Sequence, residues 1–258
     1  MKDLHSIMPI KKIPSGTKEW ADSNINISFG CENNCRYCYA KKMAIRFKRK
    51  SEENWINTIL NQSAIDKKYS KRNGRIMFPS THDITPFILP SALIVLKKIL
   101  ASGNIVLITS KPRFECIKTI CDQLREYQSQ IQFRFTIGSN NNDLLRFWEP
   151  NAPNFQERIS ALKYAYDAGY KTSISIEPFL DFDPLNLIND IYSYVTESIW
   201  IGRMNYIPTK NISEKDKIHY IEIRKNYTIQ NIKKIYEKLK DNPKIQWKDS
   251  IKKILHLF

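Results

Sequence analysis

Residues 25–40 read INISFGCENNCRYCYA: a short apolar alternation, a glycine, then three cysteines spaced Cys31-x3-Cys35-x2-Cys38. Ile25, Ile27 and Phe29 alternate with polar residues, which predicts a strand over Ile25–Phe29. Glu32, Asn33, Asn34 and Arg36 crowd the cysteines and predict a loop rather than a core. Thiolates are soft ligands that favour iron–sulfur clusters or zinc. Three on one loop can hold three corners of a cubane and leave the fourth iron open for chemistry. Zinc is the rival, but a structural zinc site asks for four ligands and no fourth Cys or His lies nearby. Cys116 and Cys121 lie some 80 residues further on in a predicted helix and read as buried, inert thiols.

Outward from this loop, strand-like and helix-like segments alternate to about residue 205. Arg75–Phe78, Asn104–Thr109, Gln130–Ile137, Lys171–Ile176 and Ser198–Ile201 are short and rich in Ile, Val and Phe, as strands are. Between them, Pro90 opens a helix over Ser91–Leu100 that Gly103 follows. Asn154 and Glu157 form a capping-box pattern before Phe155, Ile159, Leu162 and Tyr166, and Gly169 ends that run. Asp183 followed by Pro184 opens a helix through Leu185 and Ile188. Six β-α units imply parallel strands with right-handed crossovers. The expected fold is α/β, a partial (β/α)6 barrel over residues 1–205 with 1–23 leading in. A basic, mainly helical C-terminal extension over 206–258 would pack on it, its amphipathic helix at Ile229–Lys240.

The chain has 258 residues, with 41 Lys plus Arg against 26 Asp plus Glu and a net charge of +15. Residues 41–75 hold 11 basic and 3 acidic side chains, residues 206–258 hold 13 and 6, and these two segments account for the whole surplus. Such charge points to a polyanion, because Lys and Arg that neutralise phosphates gain from counterion release. Tyr206, Tyr220, Tyr227 and Trp247 interleave the basic residues and could stack on bases, so DNA or RNA is the expected partner. A plain solvated helix face is the alternative. No apolar run approaches the roughly 20 residues of a membrane span. The start carries Asp3 and Pro9 and reads as no export signal. Five cysteines, an odd number, then read as reduced thiols in a cytoplasmic protein.

The Cys-x3-Cys-x-aromatic-Cys loop after the first strand, with Tyr37 as its aromatic residue, resembles the signature of the radical S-adenosylmethionine superfamily. The resemblance implies a [4Fe-4S] cluster on Cys31, Cys35 and Cys38, S-adenosylmethionine chelated to the open iron, and reductive cleavage to a 5′-deoxyadenosyl radical that abstracts hydrogen from a substrate. An electron donor such as flavodoxin or ferredoxin would supply the electron.

The same resemblance assigns the other strand ends. Thr81, His82 and Asp83 after the second strand would contact the cofactor's amino group, and Lys111 its carboxylate. Gly138, Ser139 and Asn140 would approach the ribose, and Gly202 and Asn205 the adenine. Glu177, a carboxylate at the barrel mouth, joins Tyr37 and Tyr39 as a candidate catalytic residue. Each stretch also reads as ordinary turn or cap chemistry. The run from Thr136 to Asp181, with Glu149, Pro150, Ala152, Pro153, Arg158, Ala168 and Gly169, resembles the spore photoproduct lyase-like branch. That branch's lyases carry a hydrogen-donating cysteine near the end of strand two. FPSTHDITP has none, which points to a lyase-type or modifying reaction on another nucleic acid or nucleotide. A peptide or small-metabolite substrate, or a non-catalytic metal-stabilised nucleic-acid-binding module, are the competing readings.

Overall fold

A computed structural model describes residues 14–210 and 212–257. The lead-in segment expected over 1–23 therefore falls largely outside the described residues. The architecture is a curved parallel sheet with helices on its outer face. Its strands are β1 (Ser23–Asn24), β4 (Arg75–Phe78), β5 (Ile105–Ser110), β6 (Ile131–Thr136), β7 (Lys171–Ile176), β8 (Ile199–Ile201) and β9 (Ile245–Trp247), in that spatial order and all parallel. A separate antiparallel ribbon joins β2 (Ser28–Phe29) to β3 (Ile59–Leu60).

Alternation along the strands divides the interior in two. Ile76, Phe78, Val106, Ile108, Phe133, Phe135, Ile174, Ile176, Ile199 and Ile201 face the helices and form one continuous core. Their neighbours Gln132, Arg134, Ser173 and Ser175 are also buried but polar, so the concave side of the sheet is a polar lumen. The helices against the core are α3 (Leu89–Ala101), α4 (Phe114–Gln123), α6 (Phe155–Asp167) and α7 (Leu185–Ile191). Asn154 caps α6 as expected, accepting from the Glu157 N–H at 2.9 Å. The Glu157 carboxylate does not return to the cap; it accepts from the Phe114 N–H at 3.1 Å and so ties α4 to α6. Cys116 and Cys121 are buried in α4, packed in the core.

The parallel α/β barrel arc is present, with two corrections. The first strand does not run unbroken over Ile25–Phe29. The Ile25 N–H still bonds Met77 O at 3.0 Å, but at Asn26 the chain leaves the sheet. Asn26 turns its side chain onto the Ser80 and Thr81 N–H groups (2.7 and 3.0 Å), and the Ile27 N–H goes to His82 Nε2 at 3.1 Å. Side chains take over where strand partners stop. Second, the parallel strands among the described residues number seven, because the C-terminal extension supplies β9 beside β8. Three residues between two helices leave too short an alternation to read. The extension otherwise forms α8 (Lys217–Asn226), α9 (Ile229–Leu239) and α10 (Asp249–Leu255). No helix among the described residues is long and apolar enough to cross a membrane.

Candidate active site

The cysteine loop starts where Gly30 turns it out of β2. Gly30 has φ +93°, and a Cβ there would stand 2.6 Å from the Trp55 carbonyl oxygen, so a side chain would clash with backbone. That carbonyl accepts from the Cys31 N–H at 3.1 Å and fixes the first cysteine. Cys38 closes the loop as the N-cap of α1 (Tyr39–Arg46), its Sγ accepting from the Lys41 N–H at 3.4 Å. Cys31 and Cys35 are buried, Cys38 half-buried, and all are free thiols.

Burial drives all three thiols upward, Cys31 to about 12 with the Asp83 charge adding to the effect. Without a cation they are neutral; cationic metal would displace their protons. Among the described residues no three His, Cys, Asp or Glu side chains converge on one point, as a single ion needs. A cubane asks for something different, one thiolate per iron. Three thiols from one loop, with no fourth cysteine in it, fit a cluster with an open corner.

Beside the cysteines stands a half-buried ion pair. Lys111 follows β5, and its ammonium lies 3.7 Å from Asp83 Oδ2. Asp83 also accepts from Asn33 Nδ2 (2.8 Å), the Lys111 N–H (2.7 Å) and Ser110 Oγ (3.2 Å), and lies 3.8 Å from Cys31 Sγ. Burial raises the Asp83 pKa, but Lys111 and these donors outweigh it and hold the carboxyl below its usual range. Burial likewise pulls Lys111 down, yet Asp83 and the surrounding acidic groups hold it well above its ordinary value. Both side chains are charged at neutral pH.

Tyr37 belongs to a second buried chain. Its hydroxyl donates to Glu149 Oε1, and Arg158 donates to Glu149 Oε2; the Glu149 and Arg158 side chains have no exposure at all. Arg158 is anchored further by Pro153 O (2.8 Å) and Thr136 O (3.3 Å). The Glu149-Pro-x-Ala-Pro run and Arg158 thus form a brace that grips the cysteine loop through Tyr37 and through the Arg36 N–H, which bonds Trp148 O at 2.9 Å.

The remaining expected residues divide by what they touch. His82 spends both ring nitrogens on backbone, Nε2 on the Ile27 N–H and Nδ1 on Asp83 O (3.1 Å), so it fastens the strand end rather than offering a free nitrogen to the cofactor. Ser139 is fully buried and donates to Asp181 Oδ1 at 2.8 Å, and Asn140 donates to Asp190 at 2.8 Å. Gly138 is a glycine because the Pro178 carbonyl oxygen sits 2.7 Å from where its Cβ would be. These three take part in the packing of the strand-end loops. Gly202 makes room for Glu177 and Lys248, whose carbons lie 2.8–2.9 Å from its would-be Cβ. Thr81, Asn205 and Tyr39 are exposed at the rim. Glu177 faces the lumen 3.9 Å from Lys248, and burial pushes its pKa up to about 7.

Sequence reasoning missed Asp181 and Lys248. Asp181 opens on a cleft of about 260 Å³ shared with Trp148, Phe182 and His219, and its Oδ2 is buried without a partner. Lys248, on the far side of the lumen, is buried against Glu19 at 2.5 Å. Neither lies in a motif; both are set by long-range contact.

The Radical SAM superfamily model matches residues 25–181. An uncharacterized protein of Acidianus two-tailed virus is 26% identical over 184 residues, covering 67% of this chain and 59% of its own length. An uncharacterized protein of Methanocaldococcus jannaschii is 26% identical over 203 residues, covering 77% and 74%. Among solved structures, Streptococcus suis SuiB bound to precursor peptide SuiA overlaps 91% of this chain and 50% of its own, at TM-score 0.58 and 13% identity. A spore photoproduct lyase variant with bound AdoMet and dinucleoside spore photoproduct overlaps 80% and 65%, at TM-score 0.50 and 14% identity. At such identities the two structures are similar in fold alone. The chain spans less than two thirds of the viral relative and of either solved structure.

Proposed function

The chain belongs to the radical SAM superfamily, and from that premise we propose that it is a radical enzyme acting on a nucleic acid or nucleotide. Its cofactors are a [4Fe-4S] cluster, held by Cys31, Cys35 and Cys38, and S-adenosylmethionine. When bound, they supply the electron and the carbon–sulfur cleavage that yield a 5′-deoxyadenosyl radical. The protein's share is position. Asp83 and Lys111 present opposite charges side by side, matched to the ammonium and carboxylate of an amino acid. Tyr37 is committed to Glu149, which leaves Tyr39, 66% exposed just past Cys38, as the tyrosine open to a substrate on the rim. Glu177 would hold or accept a proton at the lumen mouth.

One observation supports the nucleic-acid reading above the others. The two segments that carry the whole charge surplus meet beside the cysteine loop: Lys42, four residues after Cys38, lies 3.5 Å from the centre of the Tyr206 ring and bonds its carbonyl at 3.3 Å. A basic rim with an aromatic surface at that point suits a phosphate backbone and a stacked base. A flavodoxin- or ferredoxin-type donor, being acidic, would suit the exposed Arg46, Phe47, Lys48 and Arg49 at the end of α1.

The test is anaerobic reconstitution with iron and sulfide, then 5′-deoxyadenosine measured after reduction with and without DNA or RNA. Stimulation by nucleic acid, together with a gel shift that weakens with salt, supports the reading. Uncoupled cleavage with no shift at low salt moves the substrate to a peptide or metabolite. Bound zinc in place of iron overturns the radical assignment. Cys35→Ala should abolish cleavage.

A further inference from the structure

At the opposite end of the lumen from the cysteine loop, a cavity of about 280 Å³ opens among the strand starts. Its charged walls are Arg75, Arg134, Glu19 and Glu197. Glu19 is neutralised, paired with Lys248 at 2.5 Å and near Lys252 at 3.8 Å. Glu197 sits exposed at the outer edge. Arg134, by contrast, is 3% exposed, and among the described residues neither its guanidinium nor that of Arg75 has a carboxylate within 4 Å, although Asp22 accepts from the Arg75 backbone N–H at 2.7 Å.

The guanidinium of Arg134 is held in a fixed plane. Trp20 and Trp200 lie 4.7 and 5.3 Å from it, Nε donates to Ser173 Oγ at 3.0 Å, and Nη2 reaches Ser198 Oγ at 3.4 Å. Nη1 is buried with no partner. Burial and then the like charge of Arg75 pull its pKa down to about 9, so at neutral pH it still carries its proton. Two cations thus face one small space. Aromatic faces offset only part of the cost of a desolvated cation. What completes the site is an anion, and a planar fork of N–H groups recognises oxygen pairs.

We propose that this lumen-floor cavity binds a small free oxyanion, a phosphate or a carboxylate, between Arg134 and Arg75. It is separate from the cofactor site and independent of the substrate reading, and its occupancy would rigidify the barrel end remote from the cysteine loop.

The test uses the full chain, without and with its cluster, at low ionic strength. Thermal melting and calorimetric titration are run with inorganic phosphate, with acetate, and with chloride at matched ionic strength. The expected result is a saturable rise in melting temperature with phosphate or acetate beyond that of chloride. Whichever of the two binds more tightly names the source. Arg134→Met should weaken that affinity at least 10-fold, and Arg75→Met should weaken it by less. Arg134→Lys, which keeps the charge and the fold but loses the fork, should fall between. An equal response to chloride, no saturable response, or unchanged affinity in both methionine variants would overturn the proposal. So would density for ordered water alone at Nη1 in a crystal grown with phosphate.

Discussion

The two ends of one lumen handle buried charge in opposite ways. At the mouth two pairs set opposite charges in contact: Asp83 with Lys111, and Glu149 with Arg158. At the floor the side chains of Arg134 and Arg75 are in no ion pair among the described residues. The difference follows from where the residues sit. The mouth charges lie on or beside loops after strands, whose backbone can bring acid to base. Arg134 is fixed in the middle of β6 by the pleat, and a strand side chain cannot seek a partner. The mouth pairs are neutral as they stand; the floor keeps a surplus of positive charge, which the proposed oxyanion would offset.

The comparison breaks most visibly at the brace. Arg158→Met should leave Glu149 buried, with Tyr37 and no counter-charge, and should lower stability by about 3–5 kcal/mol. Tyr37 should lose its fixed position with it, so iron loading of the cysteine loop should fall as well. Chemical denaturation and iron content check the two effects. The double variant Arg158→Met, Glu149→Gln should recover much of the loss, because no unpaired charge remains. If the single variant costs less than about 1 kcal/mol, the mouth is not the compensated region described here.

Smaller effects belong to the strand ends around Gly202 and Glu177. Gly202→Ala drives a methyl group to within 2.9 Å of the Glu177 and Lys248 stems. The overpacking should cost about 1–3 kcal/mol by thermal or chemical denaturation. Glu177 itself gives a pH signature. Its folded pKa of about 7 lies above the unfolded value near 4.5, so the folded state holds the proton more tightly. Its stabilising contribution is complete below pH 4.5 and is lost as pH rises to 7. With 18% of its side chain open to water, the loss should be about 1–2 kcal/mol, less than the full shift implies. Glu177→Gln should therefore flatten the stability profile between pH 4.5 and 7 and gain most at pH 8. An unchanged profile would place Glu177 in water.

The sequence carried the parts that are local. Cysteine spacing, strand alternation and the Asn154 cap are set by neighbours in the chain; the later strands and the cap stand where read, while the first strand breaks at Asn26. Ser139, Asn140 and His82 sit at strand ends, where a ligand is expected, and each also finds a protein partner. Those partners, Asp181, Asp190 and the Ile27 N–H, lie 42 to 55 residues away. No local pattern records such pairing. The seventh strand was hidden for a related reason: β9 exists only because β8 offers an edge to Ile245–Trp247. Lys248 shows the same limit from the other side. In sequence it is one lysine in a basic tail; in the fold it is buried 2.5 Å from Glu19 and belongs to the lumen.

The surface supplies the smallest effect and the control for the rest. Arg146 and Asp143 form an ion pair on the helix Asn142–Trp148 at 2.9 Å, with side chains 72% and 86% exposed. The Asn33–Asp83 contact at the mouth, at 2.8 Å, is almost the same length, and distance alone would rank the two together. Water decides otherwise: exposed i,i+3 pairs contribute about 0.2–0.5 kcal/mol, and salt screens them. Arg146→Ala should shift stability by less than 0.5 kcal/mol, and less still at 1 M salt. The Arg158→Met loss should persist at that salt, because its pair has no exposure for ions to reach. Matched denaturation curves at low and high salt compare them directly. If both losses vanished in salt, burial would not be what separates the lumen mouth from the outer surface.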